Sequence, residues 1–115
     1  MEIVVVRDKI KKAELKAIAD QQFGNLVKAA VDVERRILAV GGELHADEEA
    51  VLLHDGSKQE QIWGINLYLE RSPAEWIEFD SMINIRPSQG NKSRGIEDES
   101  IRELIKSIIA ERTTS

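Results

Sequence analysis

"WGINLYLERSPAEWIEFDSMINIR" runs from Trp63 to Arg86 and holds two apolar alternations separated by a connection containing Pro73. Trp63, Ile65, Leu67 and Leu69 recur at every second position. Ile77, Phe79, Ile83 and Ile85 do the same further on, with Ser81 interrupting. A period of two is the pattern of a strand with one buried face. Antiparallel pairing that sets Leu69 opposite Ile77 brings Leu67 to Phe79, Ile65 to Ser81 and Trp63 to Ile83. A slip of one residue would set Leu67 against Glu78 and mix the faces, so the apolar pattern selects the register. The opposite face then carries Ile62, Asn66, Tyr68, Trp76, Glu78, Asp80, Met82, Asn84 and Arg86.

The rest of the chain is read outward from this hairpin. Ile3 to Val6 is a β-branched apolar run, expected as a strand buried on both faces or as the first strand of a sheet. Ile10, Ala13, Leu15, Ala17 and Ile18 against Lys11, Lys12, Lys16 and Asp20 predict an amphipathic helix with Asp8 as its N-cap and a stop at Gly24-Asn25. Val27, Ala29, Val31 and Val33 alternate with Lys28, Asp32 and Glu34, and residues 36–40 supply a partner strand. A turn at Glu34-Arg35 sets Val31 opposite Leu38 and Ala29 opposite Val40. After Gly41-Gly42, Asp47 as N-cap and Gly56 as C-terminal stop predict a short helix from Glu48 to His54, with a hairpin turning at Asp55-Gly56 as the rival. Ile101, Leu104, Ile105, Ile108 and Ile109 follow helical spacing. Ser100 and Glu103 have capping-box spacing, with Asp98 as the competing N-cap. Residues 113–115 should fray. The expected fold is one α+β domain over residues 1–115. Its order is β-α-β-β-(α)-β-β-α: a mainly antiparallel sheet of about five strands and two to three helices packed most simply on one side.

Composition narrows the function. The chain has 115 residues, 42% hydrophobic and 32% charged, which is enough for one core. It has no cysteine, so disulfides, zinc–thiolate sites and cysteine nucleophiles are excluded, and a reducing cytoplasm fits. The N-terminus lacks the basic start and longer apolar stretch of a signal peptide, and no segment reaches the ~20 apolar residues of a membrane span. A cytoplasmic, soluble protein with no membrane partner is expected. Twenty-one acids against sixteen bases give a net charge of −5, which argues against general nucleic-acid binding.

Three constellations could carry chemistry. Glu43, His45 and Asp47 share one side if that segment is extended, and an imidazole with carboxylates can ligate a metal or do acid–base work. The plainer reading spends Asp47 on the helix cap. On the hairpin's polar face, Glu78 beside Asp80 could repel and raise one pKa for acid–base catalysis, with Asn66, Tyr68, Asn84 and Arg86 nearby. Its plainer reading is a solvated sheet face. Third, Arg86, Ser88, Asn91, Lys92 and Arg94, with Gly90 and Gly95, could form a nest for an anion. The acids at Glu97, Asp98 and Glu99 would repel a phosphate at the next helix, and the loop could instead pair with them. No GxSxG, HExxH, Walker or GxGxxG motif is present.

The stretches GGELHADEEAVLLHDGS, WGINLY and EFDSMINIRPSQGNKSRGI resemble a family of small prokaryotic single-domain proteins of unknown function. The resemblance covers nearly the whole chain. It implies a stand-alone soluble protein and brings no activity, cofactor or catalytic residue. The leading expectation is a small binding or regulatory protein that contacts an anionic small molecule or a partner through residues 86–95 and the adjoining sheet face. One alternative is a metal-dependent or hydrolase-like enzyme using Glu43, His45 and Asp47, or Glu78 and Asp80. The other is a structural module that homodimerises through a sheet edge or the Trp76/Tyr68 face.

Overall fold

The structure is a computed structural model and describes residues 2–115. In chain order it contains β1 (Val4–Val6), β2 (Ile10–Lys11), α1 (Lys12–Gln21), β3 (Leu26–Asp32), β4 (Ile37–Val40), α2 (His45–His54), β5 (Ile62–Tyr68), β6 (Ile77–Glu78), α3 (Glu99–Arg112) and β7 (Thr113–Thr114). Five strands form one antiparallel sheet in the order β1-β4-β3-β5-β6. The fold is therefore α+β, as the alternations predict.

β3 and β4 pair in the expected register, with Ala29 opposite Val40 and Val31 opposite Leu38. Their turn has no Asn-Gly pair. The Asp32 carboxylate builds it instead by accepting the Glu34 and Arg35 N–H groups at 2.9 and 3.0 Å, and Arg36 takes a left-handed φ of 55°. Alternation then sorts the sheet's faces. Val27, Ala29, Val31, Trp63, Ile65 and Leu67 meet α1 and α3, where Leu15, Ile18, Ile105, Ile108 and Ile109 are buried. Each such fully buried side chain contributes about 1.5–3 kcal/mol. The Asp98 side chain caps α3 by accepting Ser100 N–H at 2.8 Å, so Asp98 rather than Ser100 is the N-cap.

Several expectations are corrected. The helices do not share one side: α2 covers the other face, where Ala30, Ile37, Ala39, Leu52 and Ile62 form a second core. α2 also starts earlier than expected, with Leu44 rather than Asp47 at its N-cap. The reason is that two polar residues of its first turns point inward. His45 Nε2 lies 2.7 Å from the Ile65 carbonyl, and the Glu48 carboxylate accepts the Gly42 N–H at 3.0 Å. Gly56, with φ of 105°, ends the helix as anticipated, so this segment is not a hairpin. Asp8 does not cap α1. Ile10 and Lys11 instead pair in parallel with Thr113 and Thr114, which also orders the C-terminal residues expected to fray. The helix begins only after that pairing, with Glu14 reaching back to the Lys11 N–H at 3.4 Å.

The long hairpin keeps its faces through Phe79 and loses its register. Leu67, not Leu69, stands opposite Ile77, and Asn66 stands opposite Glu78. Turns closed by Arg71 N–H to Tyr68 O (3.1 Å) and Glu75 N–H to Ser72 O (2.9 Å) take Leu69 out of the ladder. The difference is two residues, so Ile77 and Phe79 still pack on the α1/α3 core, whereas Ile83 packs on the second core beneath α2 and Ile85 is exposed. On its other side β5 pairs with β3, which sets Trp63 opposite Val31, and no β6 residue pairs with Trp63. Trp76 joins the α1/α3 core at 7% exposure, so it is not part of an exposed Trp76/Tyr68 face.

β6 also stops after two residues. The Ser81 hydroxyl accepts the Ile83 N–H at 3.3 Å and caps a 3-10 turn over Met82–Asn84, which ends the strand. β5 would then lack a partner at Gly64. The Asn84 side chain supplies one: its Oδ1 accepts Gly64 N–H at 2.8 Å and its Nδ2 donates to Gly64 O at 2.9 Å and to Arg94 O at 3.0 Å. The Asn91 amide fixes the next layer by donating to Asn84 O, Ser93 O and Gly95 O and accepting from Glu97 N–H.

Two outcomes follow for stability. A Cβ on Gly64 would lie 2.6 Å from Ser81 Cβ and Oγ. Gly64→Ala should displace the Ser81 turn and cost about 1–3 kcal/mol in urea unfolding; an unchanged midpoint would show that the turn does not rest on the sheet. Glu48 is fully buried, and burial pushes its carboxyl well above the usual range. The folded state then holds a proton that the unfolded chain releases, so this group's contribution is complete below about pH 4.5 and is lost as pH rises toward the folded-state value. Glu48→Gln should match the wild type near that pH and become progressively more stable above it, by at most about 1.4 kcal/mol per pH unit. Parallel stability–pH curves for the two proteins would refute this.

Candidate functional site

A cleft of about 190 Å³ opens between the start of α2 and the segment that follows β6. Its position follows from sheet register. Lys28 of β3 stands opposite Asn66 of β5, and Asn66 stands opposite Glu78 of β6. These three form one row across the α2-covered face. α2 begins above that row with His45, and the chain beyond β6 brings Asp80, Ser81, Met82 and, from the following loop, Arg94.

The polar groups are held individually. Asn66 Nδ2 donates to Glu78 Oε1 at 2.8 Å and to the Asp80 carbonyl at 3.2 Å. Both partners are acceptors, so the amide orientation is fixed and Oδ1 faces away from them. That Oδ1 is buried without a hydrogen-bond partner, in a residue 7% exposed. The Tyr68 hydroxyl also donates to Glu78 Oε1, at 3.2 Å, and burial followed by the Glu78 charge raises the phenol's pKa. Asp80 pairs with Arg94 at 2.7 Å. Glu78 and Asp80 thus take different partners.

His45 has its Nε2 on a carbonyl oxygen, which can only accept. The neutral ring therefore carries its proton on Nε2 and leaves a lone pair on Nδ1. Burial lowers the pKa of the imidazole, and the Lys28 charge adds to this; the Ile65 carbonyl, Asp80 and Asn66 act in the other direction. Lys28 makes no ion pair among the described residues, and its Nζ rests 5.1 Å from the centre of the Phe23 ring. Leu44 and Met82, 56% and 65% exposed, form an apolar rim.

The sequence-derived candidates separate into groups. His45, Asp80 and Arg94 line the cleft, with Tyr68 and Glu78 bonded behind Asn66. Glu43 and Asp47 are exposed while His45 is buried, because a helix begins at His45 and the expected extended alternation is lost. The described residues hold no cluster of three His, Asp or Glu side chains arranged to bind a metal ion.

The loop after β6 answers to a different logic. Arg86 turns inward, its side chain 10% exposed, and donates to the Ile62 carbonyl and to Glu49 at 3.3 Å. Asn84 and Asn91 are buried on backbone groups. The N–H groups of Lys92 and Ser93 both donate to the Glu97 carboxylate, at 2.7 and 3.1 Å, so the loop pairs with an acid of its own chain. That bonding lowers the Glu97 pKa. Ser88 lies with Arg86 on a separate, open depression.

Lys28 is the residue that sequence reasoning missed. Its signal lay in the polar side of β3, but it becomes a site residue only once β3 is paired with β5. A larger hollow of about 470 Å³ lies elsewhere, among Lys12, Trp76, Lys106 and the last residues of the chain. Its wall contains no histidine, aspartate or glutamate side chain, so convergent chemistry rather than volume singles out the smaller cleft.

No helix among the described residues is long and apolar enough to cross a membrane. No curated protein and no solved structure matches the chain. The family model described as "Protein of unknown function (DUF5674)" matches residues 4–112, as the resemblance in its sequence led one to expect, and the chain belongs to that family.

Proposed function

We propose that this protein binds a small anionic molecule in the cleft between α2 and the segment after β6. The observation that carries the reading is the convergence of Lys28, His45, Asn66 and Arg94 from four separate parts of the chain on one concavity. Lys28 has no carboxylate partner among the described residues and supplies positive charge to the cleft. Arg94 is more than half exposed and holds Asp80 by a single Nε contact, so its remaining N–H groups can reach an anion at the mouth. Leu44 and Met82 give the cleft an apolar edge beside these charges.

This reading keeps the anion-binding role expected of the Arg86–Arg94 region and moves its centre. Arg86 is committed to Ile62 and Glu49, and the N–H groups of Lys92 and Ser93 to Glu97. Arg94 is the member of that loop that borders the cleft.

Thermal unfolding in phosphate, sulfate and small carboxylates tests the proposal. A ligand at ~100 times its dissociation constant should add about 2.7 kcal/mol of stability. Lys28→Gln should abolish the gain and Arg94→Gln should reduce it, while Lys92→Gln leaves it intact. A gain lost in Lys92→Gln and kept in Lys28→Gln would place binding on the loop; a flat response to every anion would contradict the proposal.

A further inference from the structure

The hollow of about 470 Å³ lies where the start of α1, the later turns of α3, β7 and the connection between β5 and β6 come together. It shares no wall residue with the α2 cleft, and its size is that of an ordinary small-molecule pocket. Two lysines stand in its wall. Lys12 makes no ion pair among the described residues, and its Nζ lies 5.0 Å from the centre of the Trp76 ring. The ring attracts the ammonium but brings no negative charge to neutralise it. Lys106 meets only Glu103, at 3.7 Å, with both side chains more than half exposed, and such a pair contributes little. Ala110 follows Lys106 by four residues on α3 and lines the same hollow. Each cation therefore has an apolar neighbour in the wall. Trp76 itself is nearly covered; the apolar surface open to an occupant belongs to Pro73, Ala74, Ile77 and Ala110.

We infer that this hollow is a second binding site and takes an amphiphilic organic anion, with one anionic group for Lys12 and Lys106 and an apolar body for the surface beside them. An inorganic anion would leave the apolar wall against water. An apolar amine would set its charge beside two lysines that no aspartate or glutamate side chain in the wall offsets. The inference is independent of the anion reading of the α2 cleft, whose wall carries His45, Asn66 and Asp80 and suits a more polar ligand.

The test is calorimetric titration of the full chain with straight-chain carboxylates from acetate to octanoate, with octylammonium and inorganic phosphate as controls. Affinity should rise about fourfold for each added methylene, the gain expected from burying one CH₂ group. Octylammonium and phosphate should each bind about tenfold or more weakly than octanoate. Lys12→Gln combined with Lys106→Gln should weaken octanoate about tenfold or more. Ala110→Trp, which fills the hollow from an exposed helix position, should block it, and Lys28→Gln should leave it unchanged. Lys12, Lys106 and Ala110 are all exposed, so these variants keep the fold, and an unchanged thermal midpoint verifies it. Affinity independent of chain length, or octylammonium binding as tightly as octanoate, would overturn the inference. Octanoate binding lost in Lys28→Gln and kept in the double lysine variant would overturn it too, by assigning the ligand to the α2 cleft. Absence of octanoate binding would overturn this inference alone, since the α2 cleft is tested by its own anions and variants.

Discussion

Gly64 sits in a strand whose outer neighbour ends too soon, and its N–H and C=O must still be bonded. The Asn84 amide meets both with one planar group, imitating a strand residue. Everything beyond β6 depends on this substitution of side chain for ladder. The chain is free to turn at Ser81, and the missing Cβ of Gly64 leaves room for that turn against the sheet. Asn91 then ties Asn84 to the start of α3. The result is a segment attached to the sheet at points rather than along a ladder. The cleft is the space that this leaves beside α2.

The opposite wall is built by the same means. α2 is not strongly amphipathic in sequence, and two of its three buried residues, His45 and Glu48, are polar. Each is anchored to backbone, His45 to β5 and Glu48 to the Gly42 N–H. A Cβ at Gly42 would meet Glu48 Cγ at 2.7 Å, so the glycine is what allows that approach. Buried polar groups are tolerable when bonded and costly when not. The helix that covers the second face is thus positioned by polar contacts to backbone, from His45 to Ile65 and from Glu48 to Gly42.

What the sequence reveals follows from these forces. The β3–β4 register and α3 are legible because their apolar residues repeat at one period over enough positions to exclude a slip. The inward facing of Trp63, Ile65, Leu67, Ile77 and Phe79 is legible for the same reason, but it fails at Ile83 and Ile85, where the 3-10 turn breaks the alternation, and the register is not legible: Leu67 and Leu69 are equivalent under a two-residue shift. The start of α2 is hidden because His45 and Glu48 look like surface residues. Asn84 reads as one more polar position on a strand, and nothing local reveals that its amide replaces the strand. Of the site, His45, Asp80 and Arg94 are visible as chemistry-bearing types, but their meeting requires β3 beside β5 and α2 above both. Lys28 acquires its role only from Asn66 across the ladder. In the basic loop the N–H groups of Lys92 and Ser93 bond Glu97, so at these positions the loop pairs with one of the acids that follow it.

The central claim is that one asparagine side chain completes the edge of β5, and amide hydrogen exchange at Gly64 tests it most directly. The Gly64 N–H is buried and bonded only through Asn84 Oδ1. It should exchange as slowly as amides of the inner strands in the wild type, and at least about tenfold faster in Asn84→Ala while the β3–β4 amides stay protected. Rapid exchange of Gly64 in the wild type, or slow exchange that survives Asn84→Ala, would contradict the account.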